Sequence, residues 1–143
     1  DLKISFQYPH DWFTDERFRS ILIASYNTKF GELKEQPEKG QLIIFINEFN
    51  PCYPSIEEDL IDNSCGERGP EFRRTIISKE SSETKGGTLF TYIVNNSDKD
   101  GGRNTTYYLL QKFERILSFD PQPDALQFRK EFEAIVNSLE FID

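Results

Sequence analysis

The 143-residue sequence has no methionine, one histidine, one tryptophan and two cysteines. Each shortage closes a route to chemistry. With His10 alone, no site built on several imidazole ligands can form. Any Ser-His-Asp or Cys-His machine would have to be assembled around that one ring. His10 follows Pro9 in a turn and no G-x-S-x-G elbow exists, so it reads as a surface turn residue. The phosphate cradles G-x-x-x-x-G-K-[ST] and G-x-G-x-x-G are also missing. No run approaches the roughly 18 apolar residues of a spanning helix. Cations are outnumbered, with 17 Lys and Arg against 25 Asp and Glu, for a net charge of -8. That balance disfavours nucleic acid and anionic membrane as main partners. A chain starting at Asp1 without any Met implies something upstream: a cleaved signal, a lipid or membrane anchor, or an artificial boundary.

What is present is aromatic and well mixed. Thirteen Phe and six Tyr, with 36% apolar and 29% charged residues, predict one folded domain over residues 1–143. Ile4, Phe6 and Tyr8 alternate with polar neighbours, so residues 3–8 read as a half-buried strand ended by Pro9. Residues 19–26 form a second strand, and 27–40 a polar loop. Residues 41–49 are apolar on both faces, as in a strand covered on both sides. Ser55 and Glu58 form a capping box opening a short helix to about Asp62. Strands follow over 71–79 and 88–95, with Gly86-Gly87 as a turn needing positive φ. Residues 96–104 read as a polar loop. Residues 105–110 and 116–119 read as a hairpin turning near Lys112-Phe113-Glu114, with one continuous helix as the alternative. Asp120-Pro121-Gln122-Pro123 is a stiff connector. A closing helix runs from about Asp124, capped with Gln127, to Leu139, and Phe128, Phe132, Ile135 and Leu139 make one apolar stripe. Six or seven strands with short turns and two helices predict an α+β domain, its C-terminal helix packed on a mostly antiparallel sheet.

Few residues present themselves as a site. Cys52 and Cys65 flank an irregular stretch and read as a local disulfide of an oxidising compartment. Such a bond would close a loop of about 14 residues, worth roughly 3 kcal/mol. Two free thiols in a reducing compartment are the alternative. Asp98-Lys99-Asp100-Gly101 has the outline of a calcium loop without its third acid or closing Glu, and reads as solvated. The acids Glu57, Glu58, Asp59 and Asp62 read as a solvated helix face. Arg73-Arg74 read as a sheet-edge or partly covered pair with an acidic neighbour, an anion site being the sharper alternative. A carboxylate-pair hydrolase stays open, but nothing singles out a pair. No catalytic, cofactor or metal residue can be named.

Four segments in order resemble the PsbP-like family, which is related to the extrinsic oxygen-evolving subunit of photosystem II. They are Ile4-Ser5-Phe6-Gln7-Tyr8-Pro9-His10-Asp11-Trp12, and Gly86-Gly87 leading into Leu89-Phe90-Thr91-Tyr92. Then come Thr106-Tyr107-Tyr108-Leu109-Leu110 with Ile116-Leu117-Ser118-Phe119, and the closing Phe132-Glu133-Ala134-Ile135-Val136-Asn137-Ser138-Leu139-Glu140-Phe141. The resemblance implies an α/β/α sandwich around an antiparallel sheet. It also implies a secreted or anchored lipoprotein-type domain, without a recognised active site to carry over. The expectation is a non-enzymatic, extracytoplasmic domain that binds or stabilises a protein assembly, without cofactor. A small-molecule or cation-binding module is the second expectation. The opening motif has a structural reading too, Trp12 folding back to plug the open end of the core.

Overall fold

The computed structural model describes residues 2–26, 37–62, 64–123 and 128–142. In chain order these form β1 (Ile4–Ser5), β2 (Phe13–Arg17), β3 (Ser20–Ala24), β4 (Ile43–Glu48), α1 (Ile56–Ile61), β5 (Thr75–Thr84), β6 (Gly87–Asn95), β7 (Asn104–Lys112), β8 (Arg115–Gln122), α2 (Arg129–Ser138) and β9 (Glu140–Phe141). Strands β2 to β8 make one sheet in the order β2-β3-β4-β8-β7-β6-β5, every neighbouring pair antiparallel. The fold is α+β. Arg17, Ser20, Asn47, Ser118, Leu109, Phe90 and Ser81 fall in one row across the sheet. That row is a ruler for the sheet's two ends.

Strand side chains alternate between faces, so adjacent apolar residues can serve two cores. Leu110 and Leu117 join Ile21, Ile23, Ile44, Ile46 and Phe119 on one face, against Phe132, Ile135, Val136 and Leu139 from α2 and its end. Their neighbours Leu109 and Ile116 join Tyr92 and Val94 on the other face, against Leu60 of α1. The two helices therefore cover opposite faces. Phe132 meets Tyr108 and Phe119 edge-on, at 4.8 and 6.1 Å between ring centres. Trp12 packs against this α2-side core, edge-on to Phe128 at 6.1 Å.

Several boundaries depart from the sequence reading. The first strand shrinks to Ile4–Ser5, which pairs with β9 in a separate ribbon. The Gln7 N–H binds the Ser138 hydroxyl at 2.7 Å, so this segment follows the end of α2 rather than entering the sheet. β2 was not expected: Phe-Thr-Asp-Glu-Arg is an edge strand exposed at four of five positions, without an apolar face to betray it. β5 starts after a 3-10 turn at Pro70–Phe72 and continues through the polar Ser81–Thr84. β8 runs through Pro121 to Gln122, which the connector reading denied. β7 pairs with β8 only as far as Phe119, so the prolyl nitrogen faces no lost partner. Residues 105–110 and 116–119 do lie in a β-hairpin. Residues 27–36 of the expected loop, and the Asp124–Gln127 cap, lie outside the described residues.

Candidate functional site

The most built polar region lies between α1 and the β5–β6–β7 end of the sheet. Ser55 caps α1, its hydroxyl accepting from the Glu58 N–H. This sets Glu57 over β6. The Lys79 ammonium donates to the Glu57 carboxylate at 2.6 Å and the Tyr92 hydroxyl to the same oxygen at 2.9 Å. Lys79 and Tyr92 are cross-strand partners, which is why one carboxylate reaches both. The Lys79 hydrogen bond, working against partial desolvation, brings the Glu57 carboxyl down to about 2, with a backbone bond and the Tyr92 hydroxyl assisting. Burial, then the same carboxylate, pushes the Tyr92 phenol up. Neither group changes protonation near neutral pH, so the trio acts as a clamp on α1 rather than as an acid–base pair.

The other acids of α1 are also committed. Glu58 accepts from Arg73 at 3.0 Å, and Asp59 from the Cys52 N–H at 2.6 Å. Asp62 accepts from the Tyr53 and Ser64 hydroxyls, each at 2.8 Å, and those bonds lower its carboxyl. The reading of these acids as a solvated face is therefore corrected. They face cations and donors brought by β5, the residues just before it, β6 and the cysteine loop, long-range partners that helical spacing cannot reveal. Cys52 and Cys65 are disulfide-bonded, with Cα atoms 5.5 Å apart, and both are exposed.

Arg74 is 7% exposed and precedes β5. Its Nε–H donates to the Leu60 carbonyl at 2.8 Å, its Nη1 to the Tyr107 hydroxyl at 2.5 Å, and its own N–H to the Ile61 carbonyl at 2.9 Å. A buried cation thus closes the C-terminal end of α1, where carbonyls lack helical partners. The expected acidic neighbour belongs to Arg73; among the described residues no carboxylate meets Arg74.

Beyond this cluster, an open polar cleft of about 420 Å³ lies at the β5–β6 end, lined in part by Arg73, Asn96, Ser97 and Lys99. The Ser97 hydroxyl oxygen there is buried and unpartnered among the described residues. Asp98–Asp100 is a 3-10 turn, and Asp100 is gripped by both Arg68 nitrogens at 2.9 and 3.1 Å rather than turned toward a cation. Among the described residues no three His, Cys, Asp or Glu side chains converge as metal ligands. His10 is exposed. Among the same residues no helix is long and apolar enough to cross a membrane.

The opposite end of the sheet carries features the sequence reading missed. Two-residue turns close β2–β3 at Phe18-Arg19 and β7–β8 at Phe113-Glu114. Phe18 is 85% and Phe113 86% exposed. An apolar residue between charges at a tight turn was the available signal, in Arg17-Phe18-Arg19 and Lys112-Phe113-Glu114.

No family model, curated protein or solved structure matches the chain.

Proposed function

We propose that the chain is a PsbP-like accessory domain, an α/β/α sandwich that works outside the cytoplasm by presenting surfaces to a protein assembly. The observation that carries this reading is the commitment of its best-built polar groups to its own architecture. Glu57, Lys79 and Tyr92 clamp α1 to the sheet, and Arg74 closes that helix. Such groups are positioned for rigidity. The exposed Cys52–Cys65 bond agrees with an oxidising compartment. Exposed apolar side chains lie on several faces, including Tyr8, Phe13 and Ile77.

Site-specific photo-crosslinkers at Tyr8, Phe13 and Ile77 in the producing cells test the reading. A discrete protein adduct from one of these faces is expected. Absence of a protein adduct from all of them overturns it. The compartment is tested by alkylation before lysis, where reactive Cys52 or Cys65 would place the domain in a reducing environment.

A second reading, a small-molecule module, is favoured by one feature: the buried, unpartnered Ser97 hydroxyl beside the polar cleft. Soaking with small polar metabolites and recording the Asn95–Lys99 amide resonances separates the two readings.

A further inference from the structure

We infer that the Phe18 and Phe113 hairpin tips form a docking surface for an anionic lipid bilayer. Phe113 sits at φ 54°, a left-handed backbone that bulky residues avoid. Asn or Gly is the favourable choice in such a turn. The same residue is 86% exposed. A phenylalanine that is unfavourable for both backbone and solvation is explained by what it meets outside the protein. The β2–β3 turn also presents an exposed ring, Phe18 at 85%, although there the positive φ of 58° falls on the neighbouring Arg19.

The register places both tips at one end of the sheet. From the shared row at Ser20, Asn47 and Ser118, the Phe18 turn follows at once and the Phe113 turn lies three residues further along. That offset is about 10 Å along the strands, over about 14 Å of sheet width, so a tilted sheet brings both to one plane.

Charge complementarity selects the occupant. Arg19 adjoins Phe18 and Lys112 adjoins Phe113, and among the described residues neither cation is in an ion pair, while the half-buried Arg115 donates to the Leu2 carbonyl. The Arg19 guanidinium lies 5.2 Å from the Phe18 ring centre, and Arg115 lies 4.6 Å from that of Phe141. Phe113 and Phe141, with Lys112, Glu114 and Arg115, line an open cleft of about 650 Å³, and Ile142 is 49% exposed. Aromatic rings at the headgroup boundary with cations among anionic headgroups match the chemistry of a bilayer interface. A protein interface of ordinary size needs about 800 Å² of continuous surface per partner, whereas convex, separated tips suit a fluid surface. The net charge of -8 repels such a bilayer elsewhere, so it orients the domain tips-first.

Purified protein is sedimented with phosphatidylcholine vesicles, with and without phosphatidylglycerol. Binding to the anionic vesicles alone is expected. Phe113→Asn, which also suits the turn, and Phe18→Ser should each weaken it by about tenfold or more, the scale of one exposed aromatic burial. Lys112→Glu should weaken it too, while Lys39→Glu, exposed ahead of β4 at the far end, leaves it unchanged. Failure to bind the anionic vesicles, equal binding to both kinds, or binding indifferent to the tip variants overturns the inference. Tips that ignore vesicles but crosslink to a protein in cells would make this a protein interface instead. The Tyr8, Phe13 and Ile77 crosslinks test the assembly reading independently.

Discussion

Replacing Glu57 with Gln removes a charge from the α1 clamp while keeping side-chain volume. The carboxyl titrates near 4.5 when free and at about 2 in the folded protein. At about 1.4 kcal/mol per pH unit, that depression sets a ceiling of about 3 kcal/mol. The Glu57 and Lys79 side chains are 39% and 46% exposed, however, and water screens such pairs strongly. With that discount, about 1 kcal/mol remains. The folded value lies below the unfolded one, so the contribution is complete above about pH 4.5 and is lost as pH falls toward 2. Urea unfolding of wild type and Glu57→Gln near pH 7 and near pH 3 measures it, because other carboxylates cancel in the difference. Wild type should be more stable by about 1 kcal/mol near pH 7, and the gap should shrink by more than half near pH 3. A gap that is absent near pH 7, or unchanged between the two conditions, would refute the clamp.

Arg74→Met should cost about 2–4 kcal/mol, since it orphans the Leu60 carbonyl and the Tyr107 hydroxyl. Adding Tyr107→Phe should cost less than the sum of the single changes, as a double-mutant cycle in urea can show. Gly86→Ala should lower stability by about 1–3 kcal/mol, because the new methyl would meet the Leu139 carbonyl; thermal unfolding reads this. Replacing both cysteines with Ser should cost roughly 3 kcal/mol in urea, as expected for a closed loop of this size. Phe113→Asn should raise stability by about 0.5–1 kcal/mol in urea, because Asn tolerates the left-handed turn.

Legibility in the sequence followed burial. The strand at Ile43–Glu48 was plain because both of its faces are covered, and the Ser55 half of the capping box is a local device, whereas the Glu58 carboxylate expected to reach back meets Arg73. β2 was hidden because an edge strand lacks an inward apolar set. Gly86-Gly87 was found, but half of the pair for the wrong reason. Gly87 has φ 143°, whereas Gly86 is required by the close approach of the Leu139 carbonyl, a contact between distant parts of the chain. The acids of α1 were misread as solvated for the same cause. Helical periodicity shows which residues share a face, and only the sheet opposite decides what that face meets.

Net charge misleads in the same way. The excess of acid predicts repulsion from anionic partners, but an average over the surface says little about a fold that sorts its charges. Glu57, Glu58, Asp59 and Asp62 are bound by partners from β5, the Arg73 just before it, β6 and the cysteine loop. At the tip end Arg19 and Lys112, outside any ion pair among the described residues, adjoin the exposed rings of Phe18 and Phe113. Approach to a charged surface depends on the potential within about a Debye length of the contact, roughly 8–10 Å, so Arg19 and Lys112 at the projecting tips count for more there than ionised acids at the other end of the sheet. Added salt should therefore weaken tip-first binding to anionic vesicles while leaving the apolar share from Phe18 and Phe113 in place.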